Sequence, residues 1–207
     1  NTTVLVSANL DGTGGGNENS ASGMVSTNGR YVVFESEADD LTLNDTNDVE
    51  DIFVRDLATG TTRLVSVSAS GGSASAASSD PVITPDGRYV VFVSAATNLV
   101  ASDANGIPDV FVRDLVAETT TLVSTGATPN ATAAGTFMST PSITPDGRYV
   151  AFASNARNLA VGVPTLTMGE VYVRDRIASS NTWVSRNGAM LATNVLGPAN
   201  FLSSSHP

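Results

Sequence analysis

Apolar residues along this chain come in short continuous runs rather than in strict alternation. Tyr31-Val32-Val33-Phe34, Tyr89-Val90-Val91-Phe92 and Tyr149-Val150-Ala151-Phe152 each follow a turn signal: Asn28-Gly29, Asp86-Gly87 and Asp146-Gly147. Asn-Gly or Asp-Gly between β-rich runs predicts a hairpin, and a type I′ turn with both central residues at φ > 0 is the expected form. A strand that is apolar on successive residues is buried on both of its faces.

The runs belong to a repeat. Arg30, Arg88 and Arg148 fall in register at nearly equal intervals. A second anchor follows each hairpin: Ile52-Phe53-Val54-Arg55-Asp56, Val110-Phe111-Val112-Arg113-Asp114 and Val171-Tyr172-Val173-Arg174-Asp175. A third closes each copy, ending on Leu64-Val65-Ser66, Leu122-Val123-Ser124 and Trp183-Val184-Ser185. Each copy therefore reads as four strands: near 24–27, 30–36, 51–56 and 62–68, then 82–84, 88–94, 109–114 and 119–125, then 142–144, 148–154, 170–175 and 181–186. Sheets stacked face to face around an axis bury both faces of their inner strands, and a fixed period of this kind marks such repeats. The expected fold is an all-β propeller of three complete four-stranded blades. Residues 2–7 match a fourth strand and predict one N-terminal outer strand besides. The blades fall at 23–70, 71–128 and 129–188, with 1–22 and 189–207 as outer strand and linkers. Three blades are fewer than the usual four to eight, so the chain reads as part of a larger ring or of one assembled from copies.

At this point the sequence resembles the TolB-type β-propellers with WD-like repeats. Their blades carry a Pro-x-x-Ser-x-Asp-Gly-Arg/Lys-x-hydrophobic-hydrophobic-Phe segment, followed by an Asp-hydrophobic-aromatic-Val-x-Asp strand. Pro81 to Phe92 and Pro141 to Phe152 match the first segment, with Thr84 and Thr144 at the Ser position. The first copy departs, with Gly23 for the Pro and Asn28 for the Asp. The resemblance covers nearly the whole chain and implies the fold. Propellers of this group serve as docking modules, enzyme covers and extracellular scaffolds, so the fold alone does not imply an activity.

Composition narrows the partners. The net charge is −10, with ten Arg and no Lys. Such a surface repels phosphate backbones and excludes nucleic acid as the expected partner. No apolar run is long enough for a helical membrane span. The absence of Cys and the abundance of Ser, Thr and Asn fit an extracellular or periplasmic setting.

The chemistry concentrates between the second and third strands. Asp45, Asn47 and Asp51 in the first copy, and Asp103, Asn105 and Asp109 in the second, share the pattern D-x-N-x-x-x-D. Calcium takes six to eight oxygen ligands, which such loops supply. The same side chains also suit Asx-turns that cap their own loop backbone. The third copy lacks these residues, so a calcium role would be confined to two loops.

Arg55-Asp56, Arg113-Asp114 and Arg174-Asp175 recur in every copy, which reads as scaffolding: the Asp capping the next turn, the Arg bridging to the neighbouring blade. Asn44 and Asn130 fit the glycosylation acceptor pattern. The one His, His206, stands next to the chain end, and no Cys offers a thiol nucleophile. The expectation is a non-catalytic module that presents loops and edges to a protein or glycan. The alternatives are the propeller portion of a larger hydrolase and a self-assembling ring or filament subunit. Phe137 and Phe201, outside the strand registers, are the candidate partner contacts.

Overall fold

Tyr31, Tyr89 and Tyr149 each open the second strand of a separate sheet. A computed structural model describes residues 2–130, 136–163 and 169–185, so residues 189–207, Phe201 among them, lie outside the described residues. The first sheet holds β1 (Ser20–Val25), β2 (Tyr31–Ser36), β3 (Asp51–Asp56) and β4 (Thr61–Leu64). The second holds β5 (Ser78–Ile83), β6 (Tyr89–Ser94), β7 (Asp109–Asp114) and β8 (Thr119–Leu122). The third holds β9 (Met138–Ile143), β10 (Tyr149–Ser154), β11 (Glu170–Asp175) and β12 (Ser180–Trp183). All are antiparallel with neighbours in chain order, which is the meander of a propeller blade.

The apolar runs of blades one and two are buried on both faces as expected, whereas in β10 of blade three buried residues alternate with half-buried ones such as Ala151. Val33, Ile52 and Val54 of blade one pack with Val90, Phe92 and Phe111 of blade two. Val91, Val110 and Val112, on the opposite face of blade two, pack with Val150, Phe152 and Tyr172 of blade three. Within each blade an aromatic pair stacks across the middle strands: Phe34–Phe53, Phe92–Phe111 and Phe152–Tyr172, at 5.7, 5.9 and 5.7 Å between centroids.

Three expectations need correction. The hairpin tips are not type I′, because only the glycine of each has φ > 0: Gly29 (69°), Gly87 (77°) and Gly147 (71°). The Asx side chain favours a different turn. Thr84 Oγ1 donates to Asp86 Oδ1 at 2.6 Å, and Asp86 Oδ1 also accepts Arg88 N–H at 3.0 Å. Asn28 and Asp146 make the same two contacts. With Gly87 N–H on Thr84 O at 2.9 Å, this is a type I turn led by Pro85 and closed by a left-handed glycine.

The first strand of each blade begins earlier than expected and carries a register shift, with Ser22 and Asp80 at positive φ in the first two. Ser20 and Ser78 pair through their hydroxyls with Ser36 and Ser94, at 2.9 Å each, which extends those strands beyond the apolar core.

The N-terminal outer strand does not form. Residues 2–7 pair with none of the strands, because a ladder needs a neighbouring backbone and no third strand lies beside them among the described residues. The segment still follows the course of a fourth strand's exit onto blade one, where Leu10 N–H on Asp40 O repeats Ala69 N–H on Asn98 O. Val6 packs on the cluster of Phe34, Leu41 and Phe53, and Leu10 N–H meets Asp40 O at 2.8 Å.

Candidate functional site

The loops from the second to the third strand hold the predicted calcium residues, and the fold gives each of them a definite partner set. Asp51 opens β3 and is completely buried. Ser66 donates its hydroxyl to Asp51 Oδ1, and Asn47 Nδ2 donates to Oδ2 at 2.7 Å. Ser66 Oγ in turn accepts Ile52 N–H at 3.0 Å. Asn47 also donates to Ala74 O at 2.8 Å, tying the loop to the linker that leads into blade two.

Blade two repeats the arrangement. Ser124 donates to Asp109 Oδ1, Asn105 Nδ2 donates to Oδ2 at 2.7 Å, and Ser124 Oγ accepts Val110 N–H at 3.0 Å. Burial pushes the carboxyls of Asp51 and Asp109 up to about 6, against the pull of these bonds. The nearby charges of Asp45 and Asp103 push in the same direction.

Asp45 and Asp103 differ from those acids in having an oxygen to spare. Both are buried, and Oδ1 of each is enclosed without a hydrogen-bond partner. Burial raises their carboxyls too, against backbone N–H bonds from Asn47 and Asn105. So the structure brings all three residues of each predicted set together, but spends Asp51 and Asp109 on protein donors. Among the described residues, no three Asp, Glu or His side chains form a metal cluster.

Of the hollows that adjoin these loops and their blade-three counterpart, two are lined in part by acids. One of about 400 Å³ lies between the N-terminal segment and the first loop, lined by Asp11, Asp39, Asp40, Thr42 and Asp45. The other, about 540 Å³, lies on blade three among Asn155, Asn158, Val163, Glu170 and Tyr172. There Glu170 replaces the aspartate and accepts from Ser185 Oγ and from Trp183 Nε1, the latter at 2.9 Å. Trp183 therefore does more than fill the place of Leu64 and Leu122. Its indole N–H takes part in the same closing bond, a role hidden from a pattern reading that sees only bulk.

At the opposite ends of the strands, Arg and Asp form a second repeated unit. Arg30, Arg88 and Arg148 grip Asp56, Asp114 and Asp175 in two-pronged contacts, with shortest distances of 2.7, 2.9 and 2.8 Å. The same aspartates cap the following turns, Asp56 on Ala58 N–H and Asp175 on Ile177 and Ala178 N–H. The arginines do not bridge to a neighbouring blade as expected. Arg55, Arg113 and Arg174 reach Thr62, Thr120 and Asn181 of their own blades, because antiparallel pairing sets those residues directly opposite.

Of the two candidate partner aromatics, Phe137 is exposed at its edge and packs its ring against Gly169. Phe201 is outside the described residues. Asn130 is buried and donates to Asn155 O at 2.9 Å, so it presents no side chain for a glycan.

No family model and no curated protein matches this sequence. Solved structures do match in fold. TolB from Acinetobacter baumannii is 18% identical over 85% of this chain, with a TM-score of 0.49. The β-propeller domain of the Trilobed protease from Pyrococcus furiosus is 12% identical over 80%, at 0.48. An acylaminoacyl peptidase from Pyrococcus horikoshii is 14% identical over 79%, at 0.47. The chain spans 36%, 41% and 24% of these three structures' own lengths.

Proposed function

We propose that this chain is a non-catalytic propeller scaffold, extracellular or periplasmic, that presents its loops to a protein or glycan partner. The observation that supports this reading is a pair of apolar side chains at one loop position. Leu43 and Val161, two residues beyond the buried Leu41 and Leu159, are 87% and 96% exposed. An apolar residue repeated at the tip of the same loop in two blades differs from singly scattered surface residues and suits a partner that lies across the blades. The polar residues of the repeat are engaged inside the scaffold, as Asp51 with Ser66 and Arg88 with Asp114.

Calcium belongs to this proposal as a loop stiffener at Asp45 and Asp103, whose enclosed, unpartnered oxygens are hard-cation ligands in need of a partner. Its test is the melting temperature in calcium against that in chelator: a rise that the Asp45→Asn, Asp103→Asn double variant abolishes supports it, and identical curves remove it.

The binding role is tested by affinity capture from an extract of the source compartment with the wild-type chain and with a Leu43→Ser, Val161→Ser double variant. Loss of one captured partner, with the melting temperature unchanged, supports the loop surface. A partner retained by that variant but lost on changing Phe137 would move the surface to the first strands. The competing reading, a propeller attached to a hydrolase domain, would be declared by a Gly-x-Ser-x-Gly elbow in the same gene.

A further inference from the structure

The contacts that frame the hollow between the N-terminal segment and the first loop recur in blade two, but with different side chains. Leu10 N–H on Asp40 O is matched by Ala69 N–H on Asn98 O, each at 2.8 Å. Asp40 Oδ1 accepts Asn17 N–H at 3.0 Å, as Asn98 Oδ1 accepts Ser75 N–H at 2.9 Å. Asn98 Nδ2 then donates to Ser73 O at 3.3 Å. A carboxylate has no hydrogen to give, so Asp40 puts an acceptor where blade two has a donor. The same exchange runs round the hollow: Asp39 stands for Thr97, Thr42 for Val100 and Asp11 for Ser70.

Two oxygens at the wall of this hollow are left over. Asp45 and Thr42 are 6% and 7% exposed, and Asp45 Oδ1 and Thr42 Oγ1 are enclosed with no hydrogen-bond partner, each other included. Beside them Asp11 Oδ1 accepts from Thr13, Asp39 Oδ1 from Asn17 Nδ2 at 2.6 Å and Asp40 Oδ1 from Asn17 N–H, so each of these acids keeps its second oxygen. The hollow is lined by four aspartates and, among the described residues, by no arginine. Their charge reaches Asp45. Asp39 and Asp48 add to the burial that raises its carboxyl, whereas burial alone raises Asp103. A cation answers both the enclosed oxygens and the uncompensated charge.

We propose that this hollow is a calcium site that blade two does not share, and that the ion latches residues 9–17 onto blade one. Asp45 Oδ1 and Thr42 Oγ1 are the direct ligands, and Asp11, Asp39 and Asp40 hold the ion through water. This rests on the calcium reading above at Asp45 and departs from it at Asp103, where Asn98 and Val100 stand in place of Asp40 and Thr42. Calcium suits the site because it accepts six to eight oxygens, water among them, in flexible geometry, whereas magnesium demands a near-ideal octahedron. Acids held through water agree with the absence, among the described residues, of three acids placed to share one ion. So few direct ligands put the affinity with that of extracellular modules, a Kd of about 10⁻⁴–10⁻³ M. The segment is latched because Asp11 belongs to it and Asn17 is held by both Asp39 and Asp40.

The experiment is calorimetric titration of the full chain with calcium chloride, alongside Asp45→Asn, Asp103→Asn, Thr42→Val and Asp40→Asn. The last two give blade one the side chains with which blade two already folds. One ion per chain is expected, unchanged in Asp103→Asn and lost in Asp45→Asn. Thr42→Val and Asp40→Asn are each expected to weaken it by about tenfold or more. Hydrogen exchange at Leu10 and Asn17 N–H is expected to slow in calcium for the wild type and not for Asp45→Asn. Two ions per chain, one lost with Asp45→Asn and the other with Asp103→Asn, would overturn this proposal and keep the earlier reading. No ion bound at millimolar calcium would overturn both. A single ion that neither Thr42→Val nor Asp40→Asn weakens, or exchange at Leu10 and Asn17 that calcium leaves unchanged, would overturn the latch while Asp45 remains a ligand.

Discussion

Ser66 donates a hydroxyl hydrogen bond to the buried carboxylate of Asp51 while its oxygen accepts Ile52 N–H at 3.0 Å. One side chain thus closes the outer edge of a blade against the start of its third strand, and Ser124 does the same for Asp109 and Val110. Replacing Ser66 with Ala leaves a buried acceptor and a buried N–H without their partner. The expected loss is about 1–3 kcal/mol in urea unfolding. Ser185→Ala in blade three is expected to lose less, because Ser185 is exposed to water.

Stability should rise on mild acidification. Asp51 and Asp109 are held at about 6 when folded, above the ordinary 3.8, so the folded chain binds protons that the unfolded chain releases between those values. The strand-end aspartates act in the other direction: Arg30 holds Asp56 down to about 2, and Arg148 lowers Asp175. Their contribution is present above 3.8 and is lost as pH falls toward their folded values. The melting temperature is therefore expected to climb from pH 7 to about 5 and to fall steeply below about 3. A flat profile from pH 7 to 5 would show that burying the two carboxylates carries no penalty.

The Arg88–Asp114 pair lies at the surface on its arginine side and is two-pronged on its aspartate side. Arg88→Ala is expected to lower the urea midpoint only slightly, and molar salt should remove most of that loss. Asp114→Ala should cost more and keep its effect in salt, because Asp114 also caps Val116 and Ala117 N–H. Chemical denaturation of both variants with and without salt separates the ion pair from the cap.

Gly29 and Gly87 share the same backbone conformation, with φ of 69° and 77°, but only Gly87 lies against a ring. Ala at Gly29 is expected to cost about 1 kcal/mol from backbone strain. Ala at Gly87 adds displacement of Tyr31, for a total of about 2–4 kcal/mol. A double-mutant cycle with Tyr31→Ala should recover the difference between them. Equal costs at the two glycines would show that the tyrosine seat contributes no packing.

Much of this molecule is legible in its sequence. The triplicated Gly-Arg-Tyr tips, the strands that end in Val-Arg-Asp and the closing Val-Ser pairs each carry a local pattern, and local patterns survive in a linear text. They set the number of blades, the order of strands and the double-sided burial of Val33, Val91 and Phe92. Polar bonds across the sheet are less legible. Asp51 reads as a calcium ligand because its neighbours are Asp and Asn, whereas the residue that takes up its Oδ1 is Ser66, far along the chain on the next strand's exit. The short polar ends of β1 and β5 are hidden because Ser20 and Ser78 look like linker until Ser36 and Ser94 stand opposite them.

The blade itself follows from the sequence, since turn chemistry and apolar runs act between residues close along the chain. Which polar groups are engaged across the sheet, as Asp51 is by Ser66, follows from tertiary contacts. Packing depends on distances between blades: Gly87 is closed by Tyr31 and Gly29 is open, although both stand in nearly identical sequence. The physical reason is that a packing seat is made by two surfaces, and the chain's local pattern describes only one of them.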